Sequence, residues 1–309
     1  MTKNQLDPAL LEQLAKLNEK YEAMGQDLSS YLDGLLYSDY LTYWDYIHLD
    51  TLLSLQSPKT DFPDERIFIL YHQITELYFR LILNELEQAI FADPVDADLF
   101  KTRIHRCGRY FNHLTDSFDV MIDGMDPKQF LKFRMSLLPA SGFQSGQYRM
   151  IEICCTDFYR LTRKPDELEK AKIEDIYEYL YWKSGATELA TGKKTLTLKQ
   201  FEQKYREAFI KRGKEITERN IRQKYLAHYV GYAEIEEALR ELDHQANVAW
   251  PLVHMKSATR YLQRDPDVIK ATGGTNWQKY LPPKNQMIQF YPELWKDEDT
   301  QEWGKKLKR

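Results

Sequence analysis

Seven apolar side chains, Phe100, Ile104, Cys107, Phe111, Leu114, Phe118 and Met121, recur at strictly alternating spacings of four and three. That period keeps one stripe of an α-helix apolar, whereas a strand would bury every second residue, so this stretch must lie as a helix against a core. The same spacing joins Leu10, Leu14, Leu17, Tyr21 and Met24, with Pro8 near the first helical position. A further helical run is expected from about Pro63 to Ala92, where Asp64 and Glu65 complement the positive end of the helix dipole. The stripe pattern returns at Ile216 and continues to about Leu262. Only 13 Gly and 12 Pro among 309 residues leave few of the tight turns that a many-stranded sheet needs. The expected fold is therefore all-α: one large helical domain with an N-terminal helical arm and a peripheral polar insertion.

The arm is expected over residues 1–40, core helices over 41–156, the insertion over 157–215 and a second core segment over 216–309. The arm's stripe can pack on its own core or on another subunit, and both readings stay open. The insertion is charged and Tyr-rich, with Ser184-Gly185 and Thr191-Gly192-Lys193-Lys194, so short helices and exposed loops are expected there. No repeat, low-complexity tract or Gly/Ser linker divides the chain.

Charge excludes several partners. With 43 Lys+Arg against 47 Asp+Glu, the net charge of -4 provides no basic field for nucleic acid or an anionic membrane surface. No apolar run is long enough to span a bilayer. Three cysteines, Cys107, Cys154 and Cys155, cannot build a disulfide framework, and the first residues carry no signal-peptide pattern, so a reducing, cytoplasmic setting is expected. The basic Lys305-Lys306-Leu307-Lys308-Arg309 end reads as a solvated tail.

In so charged a chain, long uncharged windows mark places where chemistry can sit. The first, Ile67 to Thr75, holds His72 with Phe68 one helical turn before it and Glu76 one turn after. Such a histidine is either a hydrogen-bonded core residue or a functional one. The second, Met135 to Tyr148, is fourteen uncharged residues bracketed by Arg134 and Arg149. An arginine beside it can clamp a carboxylate through paired N–H donors, or simply face solvent at a turn. The third, Gln245 to Met255, holds Trp250, Pro251 and His254. Pro251 lacks an N–H and is expected to kink the helix just before His254. No His-x-x-x-His, His-Glu-x-x-His or Cys-x-x-Cys spacing accompanies that histidine, so a metal ion held by several protein ligands has little support. A haem iron needs only one axial histidine and a large apolar cavity. Downstream, Ala271-Thr272-Gly273-Gly274-Thr275 lacks the spacing of a phosphate loop, and its amides and hydroxyls suit a small carboxylate or ammonium group, or an ordinary loop.

In this order the windows resemble the tryptophan 2,3-dioxygenase family of haem enzymes. The matching stretches are Leu41-Thr42-Tyr43 with Tyr46, Asp64-Glu65 through Phe68, His72-Gln73 and Glu76-Leu77, Arg134 through Ser141-Gly142-Phe143-Gln144-Ser145 and Gln147-Tyr148-Arg149, Trp250 with His254, Thr272-Gly273-Gly274, and Pro292-Glu293-Leu294-Trp295. The resemblance implies an all-α fold around a haem b pocket and oxidative opening of the indole ring of L-tryptophan by O2 to N-formylkynurenine, the entry to the kynurenine pathway. It implies His254 as the proximal iron ligand and His72 as the catalytic residue near the indole N–H. Phe68 and Phe130 would wall the indole, Arg134 and Thr272 would hold the amino-acid end, and Ser141 would be a further substrate-binding residue. Tyr43 and Tyr46 match pocket tyrosines supplied by a neighbouring subunit, in a homotetramer.

The chain also departs from the family. Phe130 stands where a tyrosine is common, Trp250-Pro251-Leu252-Val253-His254 replaces Trp-Arg-x-Arg-His, and Phe62-Pro63-Asp64-Glu65 replaces His-His-Asp-Glu. A haem monooxygenase, a dioxygenase for a modified tryptophan or indole, and a non-catalytic haem- or tryptophan-binding protein are the alternatives these departures leave.

Overall fold

The computed structural model describes residues 6–38, 41–93, 96–137, 144–187, 193–262 and 282–305. They form α1 (Pro8–Ala23), α2 (Leu28–Leu36), α3 (Tyr43–Tyr46), α4 (Leu49–Leu53), α5 (Asp64–Phe91), α6 (Ala97–Ser117), α7 (Asp119–Ile122) and α8 (Pro127–Phe133). After these come α9 (Gly146–Cys155), α10 (Pro165–Leu168), α11 (Ile173–Tyr177), α12 (Leu196–Glu215), α13 (Ile221–His228), α14 (Ala233–His244) and α15 (Trp250–Leu262). The architecture is all-α, as expected; the described residues hold two isolated β-bridges and no strand. No described helix is long and apolar enough to cross a membrane.

The chain divides into two compact units, Met1–Ser57 and Pro58–Arg309. The first therefore runs past the expected arm and takes Tyr43 and Tyr46 with it. Within it, Asp7 caps α1 by accepting from the Ala9 N–H, and Asp27 caps α2 by accepting from the Ser29 and Ser30 N–H groups. Tyr21 and Tyr31 meet edge to face at 4.7 Å and join the two helices. Yet α1 buries no side chain, and Leu10, Leu17 and Met24 of its stripe are exposed.

In the second unit the stripe that fixed the fold class is buried in full, from Phe100 to Met121. It packs on the 28-residue α5, which contributes Tyr71, Phe79, Ile82, Leu83, Leu86 and Ile90, and on α14. Each of these buried large apolar side chains contributes roughly 2 kcal/mol to the unit's stability. In the segment 157–215, α12 is 20 residues long, longer than the short helices expected. Its Leu198, Phe201 and Phe209 join Phe158, Tyr177 and Trp182 in the same core. The charged texture arises from the outward face of α12 and from a cluster in which Lys183 and Lys194 bridge Glu178 and Glu202.

Buried charges tie the outer layers to the bundle. On α9, Arg149 pairs with Glu152 at 2.9 Å, and Tyr181 donates to the same carboxylate at 2.6 Å. Arg222 on α13 bridges Asp157 and Glu293. Asp243, near the end of α14, is fully buried and accepts four hydrogen bonds: Asn247 Nδ2 at 2.8 Å, Phe290 N at 2.9 Å, Tyr291 N at 3.1 Å and Trp295 Nε1 at 2.9 Å. Burial pushes its pKa up to about 6 while those donors pull the other way, so it is ionised at neutral pH and clamps residues 290–295 onto the bundle. Asp243→Asn keeps the volume but turns an N–H2 group towards N–H donors. We expect a loss of about 2–3 kcal/mol in urea unfolding at pH 7 and faster proteolysis near residue 290.

Candidate functional site

Four of the proposed residues, Phe68, His72, Phe130 and His254, lie on three helices of the second unit, and a fifth, Arg134, caps the second of them. On α5, Phe68 and His72 are one turn apart with ring centroids 4.1 Å apart. The start of α8 is tied to the start of α5, because the Asp126 N–H donates to Asp64 Oδ2 at 2.6 Å while Asp126 caps α8 through the Lys128 and Gln129 N–H groups. That linkage brings Phe130 and Phe133 to 6.3 and 5.9 Å from Phe68, with their own rings 5.5 Å apart. Arg134 closes α8, its N–H donating to the Phe130 carbonyl, and is only 4% exposed. Burial lowers its pKa, but from so high a starting value that it remains a cation.

The opposite side is α15. His254 packs between Phe118, 4.4 Å away, and the edge of Trp250, 4.3 Å away. Ser257 donates to the Met121 carbonyl at 3.1 Å and Tyr261 to the Ile122 carbonyl at 2.9 Å, which fixes the far half of α15 on α7. The Tyr261 ring also meets Phe130 at 4.6 Å, so the aromatic lining runs from α5 through α8 to α15.

Residues Gln245–Ala249 form a π turn, in which the Trp250 N–H donates to Gln245 O, five residues back. The wider turn removes the clash that the Pro251 ring would otherwise make with the carbonyl four residues earlier, so helical structure continues from α14 into α15.

Both histidines are held in the same way. His72 Nδ1 lies 2.7 Å from the Phe68 carbonyl and His254 Nδ1 lies 3.0 Å from the Trp250 carbonyl. A carbonyl only accepts, so in each neutral ring Nδ1 carries the proton and Nε2 presents a lone pair. Burial pushes the pKa of His254 down to about 4, partly offset by the Trp250 carbonyl, and the field of His72 lowers it further. Burial likewise lowers that of His72, against the Phe68 carbonyl and Glu76. His72 is exposed at the surface of α5, although the protein packed around its ring disfavours the charged form. The field of the His72 ring reaches His254, and the aromatic contacts Phe68–Phe130 and Phe130–Tyr261 link their two helices.

Among the described residues no three His, Cys, Asp or Glu side chains come together as a metal-binding group. A metal here would need a carrier that supplies its other ligands. An iron porphyrin is such a carrier, and the neutral Nε2 of His254, braced by a carbonyl at Nδ1 and by aromatic faces, has the chemistry of an axial ligand.

Ser141, Thr272 and the Gly-rich segment 271–275 lie outside the described residues. Tyr43 and Tyr46 belong to the first unit and are 71% and 74% exposed. Phe118, Phe133 and Tyr261 were not singled out for the site from sequence. Phe118 continues the α6 stripe, and Tyr261 falls two helical turns after His254, a spacing that could have marked it.

Comparison with known proteins gives a consistent result. A family profile described as tryptophan 2,3-dioxygenase matches residues 34–265. The chain is 30% identical over 275 residues to the tryptophan 2,3-dioxygenase of Ruegeria sp. (strain TM1040), covering 84% of this chain and 92% of that protein. The enzyme of the same name from Bacillus thuringiensis subsp. konkukian (strain 97-27) is 30% identical over 284 residues, with the same coverage. That from Ruegeria pomeroyi is 40% identical over 119 residues, covering 38% of this chain and 42% of that protein.

The anchoring of α15 is open to test. Tyr261→Phe keeps the ring against Phe130 and deletes the donor to the Ile122 carbonyl. It should lower stability by about 1–3 kcal/mol in urea unfolding, and an unchanged midpoint would show that this bond does not hold α15.

Proposed function

The chain belongs to the tryptophan 2,3-dioxygenase family of haem-dependent oxidoreductases, and on that premise we propose that it binds haem b and inserts both atoms of O2 across the indole C2–C3 bond of L-tryptophan, giving N-formylkynurenine in the kynurenine pathway of tryptophan catabolism. The observation that carries this reading is the pair of neutral histidines, each with Nδ1 tied to a carbonyl and Nε2 left as the acceptor, on two helices joined by the aromatic contacts of Phe68, Phe130 and Tyr261.

Ferrous haem, when bound, supplies the activation of O2 that the protein's own side chains lack. The protein's part is positional. His254 Nε2 would hold the iron, with Phe118 and Trp250 fixing the imidazole plane. Phe68, Phe130 and Phe133 offer ring faces and edges for stacking an indole. Arg134, desolvated at the end of α8, would bind the substrate carboxylate through paired N–H donors, with Ser141 and Thr272 at the same head group. His72 Nε2, the accepting nitrogen of that ring, would take a hydrogen bond from the indole N–H, setting the rotation of the indole within the pocket. Fixing both ends of the substrate in this way can contribute up to about 7–11 kcal/mol to the rate through orientation alone.

Tyr43 and Tyr46 would complete the pocket of a neighbouring subunit. Their exposure, together with the exposed Leu10, Leu17 and Met24 on α1, supports a homo-oligomer, which we take to be a homotetramer.

Ferrous, haem-loaded protein given L-tryptophan and O2 should accumulate N-formylkynurenine; oxygen consumption without that product would contradict the proposal. His254→Ala should abolish the five-coordinate ferrous spectrum. Arg134→Ala should raise KM for L-tryptophan at least tenfold, because a buried charge pair is worth about 2–5 kcal/mol, while an unchanged KM would remove Arg134 from the carboxylate site.

A further inference from the structure

Tyr148 lines neither wall of the pocket, yet its hydroxyl meets the one place where the helix bearing His254 lacks a backbone donor. In the π turn the Trp250 N–H reaches Gln245 O, five residues back. In that register the next bond would run from residue 251 to the Ala246 carbonyl, but Pro251 has no N–H. Ala246 is fully buried, so water cannot take the place of that donor. The Tyr148 hydroxyl does, donating to Ala246 O at 2.8 Å from a helix 98 residues away in sequence.

Tyr148 is well fixed for this task. Its own N–H is capped by Ser145 Oγ at 3.1 Å, and its ring packs 5.4 Å from Phe79 with the Arg149 guanidinium 4.6 Å from its centroid. Burial raises the phenol's pKa well above its ordinary value, which keeps the donor proton in place.

The register of this turn matters for His254, because each residue advances an α-helix by about 100° and the extra residue of a π turn decides which face the following residues occupy. We infer that Tyr148 is a positioning residue, its hydroxyl replacing the missing Pro251 N–H and so holding the π register that directs His254 into the pocket. The step to iron ligation rests on the function proposed above; the step to the turn does not.

The test compares Tyr148→Phe, Pro251→Ala and the double variant. Alanine at 251 restores a backbone N–H, and the Ala246 carbonyl then gains a main-chain donor in either the α or the π register. In cofactor-free protein, Tyr148→Phe should speed hydrogen exchange of the Trp250 and His254 amides at least about tenfold, whereas in the Pro251→Ala background the same change should have less than about a threefold effect. In haem-loaded protein, Tyr148→Phe should diminish the five-coordinate ferrous spectrum and Pro251→Ala should restore it in the double variant. If Tyr148→Phe does not fold alone, rescue of folding by Pro251→Ala supports the inference and failure of rescue overturns it. Equal acceleration in both backgrounds, or faster exchange with an unaltered ferrous spectrum, also overturns it. Should His254→Ala leave the ferrous spectrum intact, the ligand assignment fails, while the exchange comparison still decides whether Tyr148 holds the turn.

Discussion

A helix that passes through Pro251 three residues before His254 governs the rest of the site. Proline removes one backbone donor and excludes the carbonyl four residues earlier, and the chain meets both demands with the π turn at Gln245–Ala249. Helical structure thereby continues from α14 into α15, and the extra residue of the turn shifts which face the following residues occupy. Everything on that side follows from the resulting rotation: Ser257 and Tyr261 reach α7 carbonyls, Trp250 and Phe118 enclose the imidazole, and Tyr261 closes the aromatic lining against Phe130. The opposite wall needs no such device, because α5 is an unbroken 28-residue helix and the Asp64–Asp126 bond sets α8 beside it.

The electrostatic plan separates two kinds of buried polarity. Away from the pocket, charges are buried in matched networks: Arg149 with Glu152 and Tyr181, Arg222 with Asp157 and Glu293, Asp243 with four donors. Such groups cost desolvation energy but fix the outer segments in one arrangement when every partner is present. Around α5, α8 and α15, burial instead lowers the pKa of both histidines, which leaves them neutral at pH 7, while the buried Arg134 remains a cation. In the proposed function a zwitterionic aromatic ligand would set its apolar body against the phenylalanine rings and its carboxylate against Arg134.

Helix stripes and uncharged windows made much of this legible in the sequence. The α6 stripe alternates without a break and is buried from Phe100 to Met121, and the windows around His72 and His254 fall on α5 and on the π turn with the start of α15. The π turn was not legible, since a proline in a helix announces a lost bond but not the distant hydroxyl that replaces it. The length of α12 was hidden by its charged outer face, because a helix with one buried stripe and many lysines reads much like a loop-rich segment. The first unit reaches Ser57 although no Gly or Ser linker marks its end, so Tyr43 and Tyr46 fall with the N-terminal helices. Phe118 was legible only as part of the α6 stripe, and Phe133 and Tyr261 were not singled out; their ring contacts with His254, Phe68 and Phe130 appear only in the packing.

The central claim is that this pocket carries out a dioxygenation of tryptophan's indole ring. Turnover of L-tryptophan under isotopically labelled oxygen, followed by mass analysis of the product, tests it most directly. The account predicts N-formylkynurenine carrying two labelled oxygen atoms from one O2 molecule, and a product with a single labelled atom, the other coming from water, would contradict it.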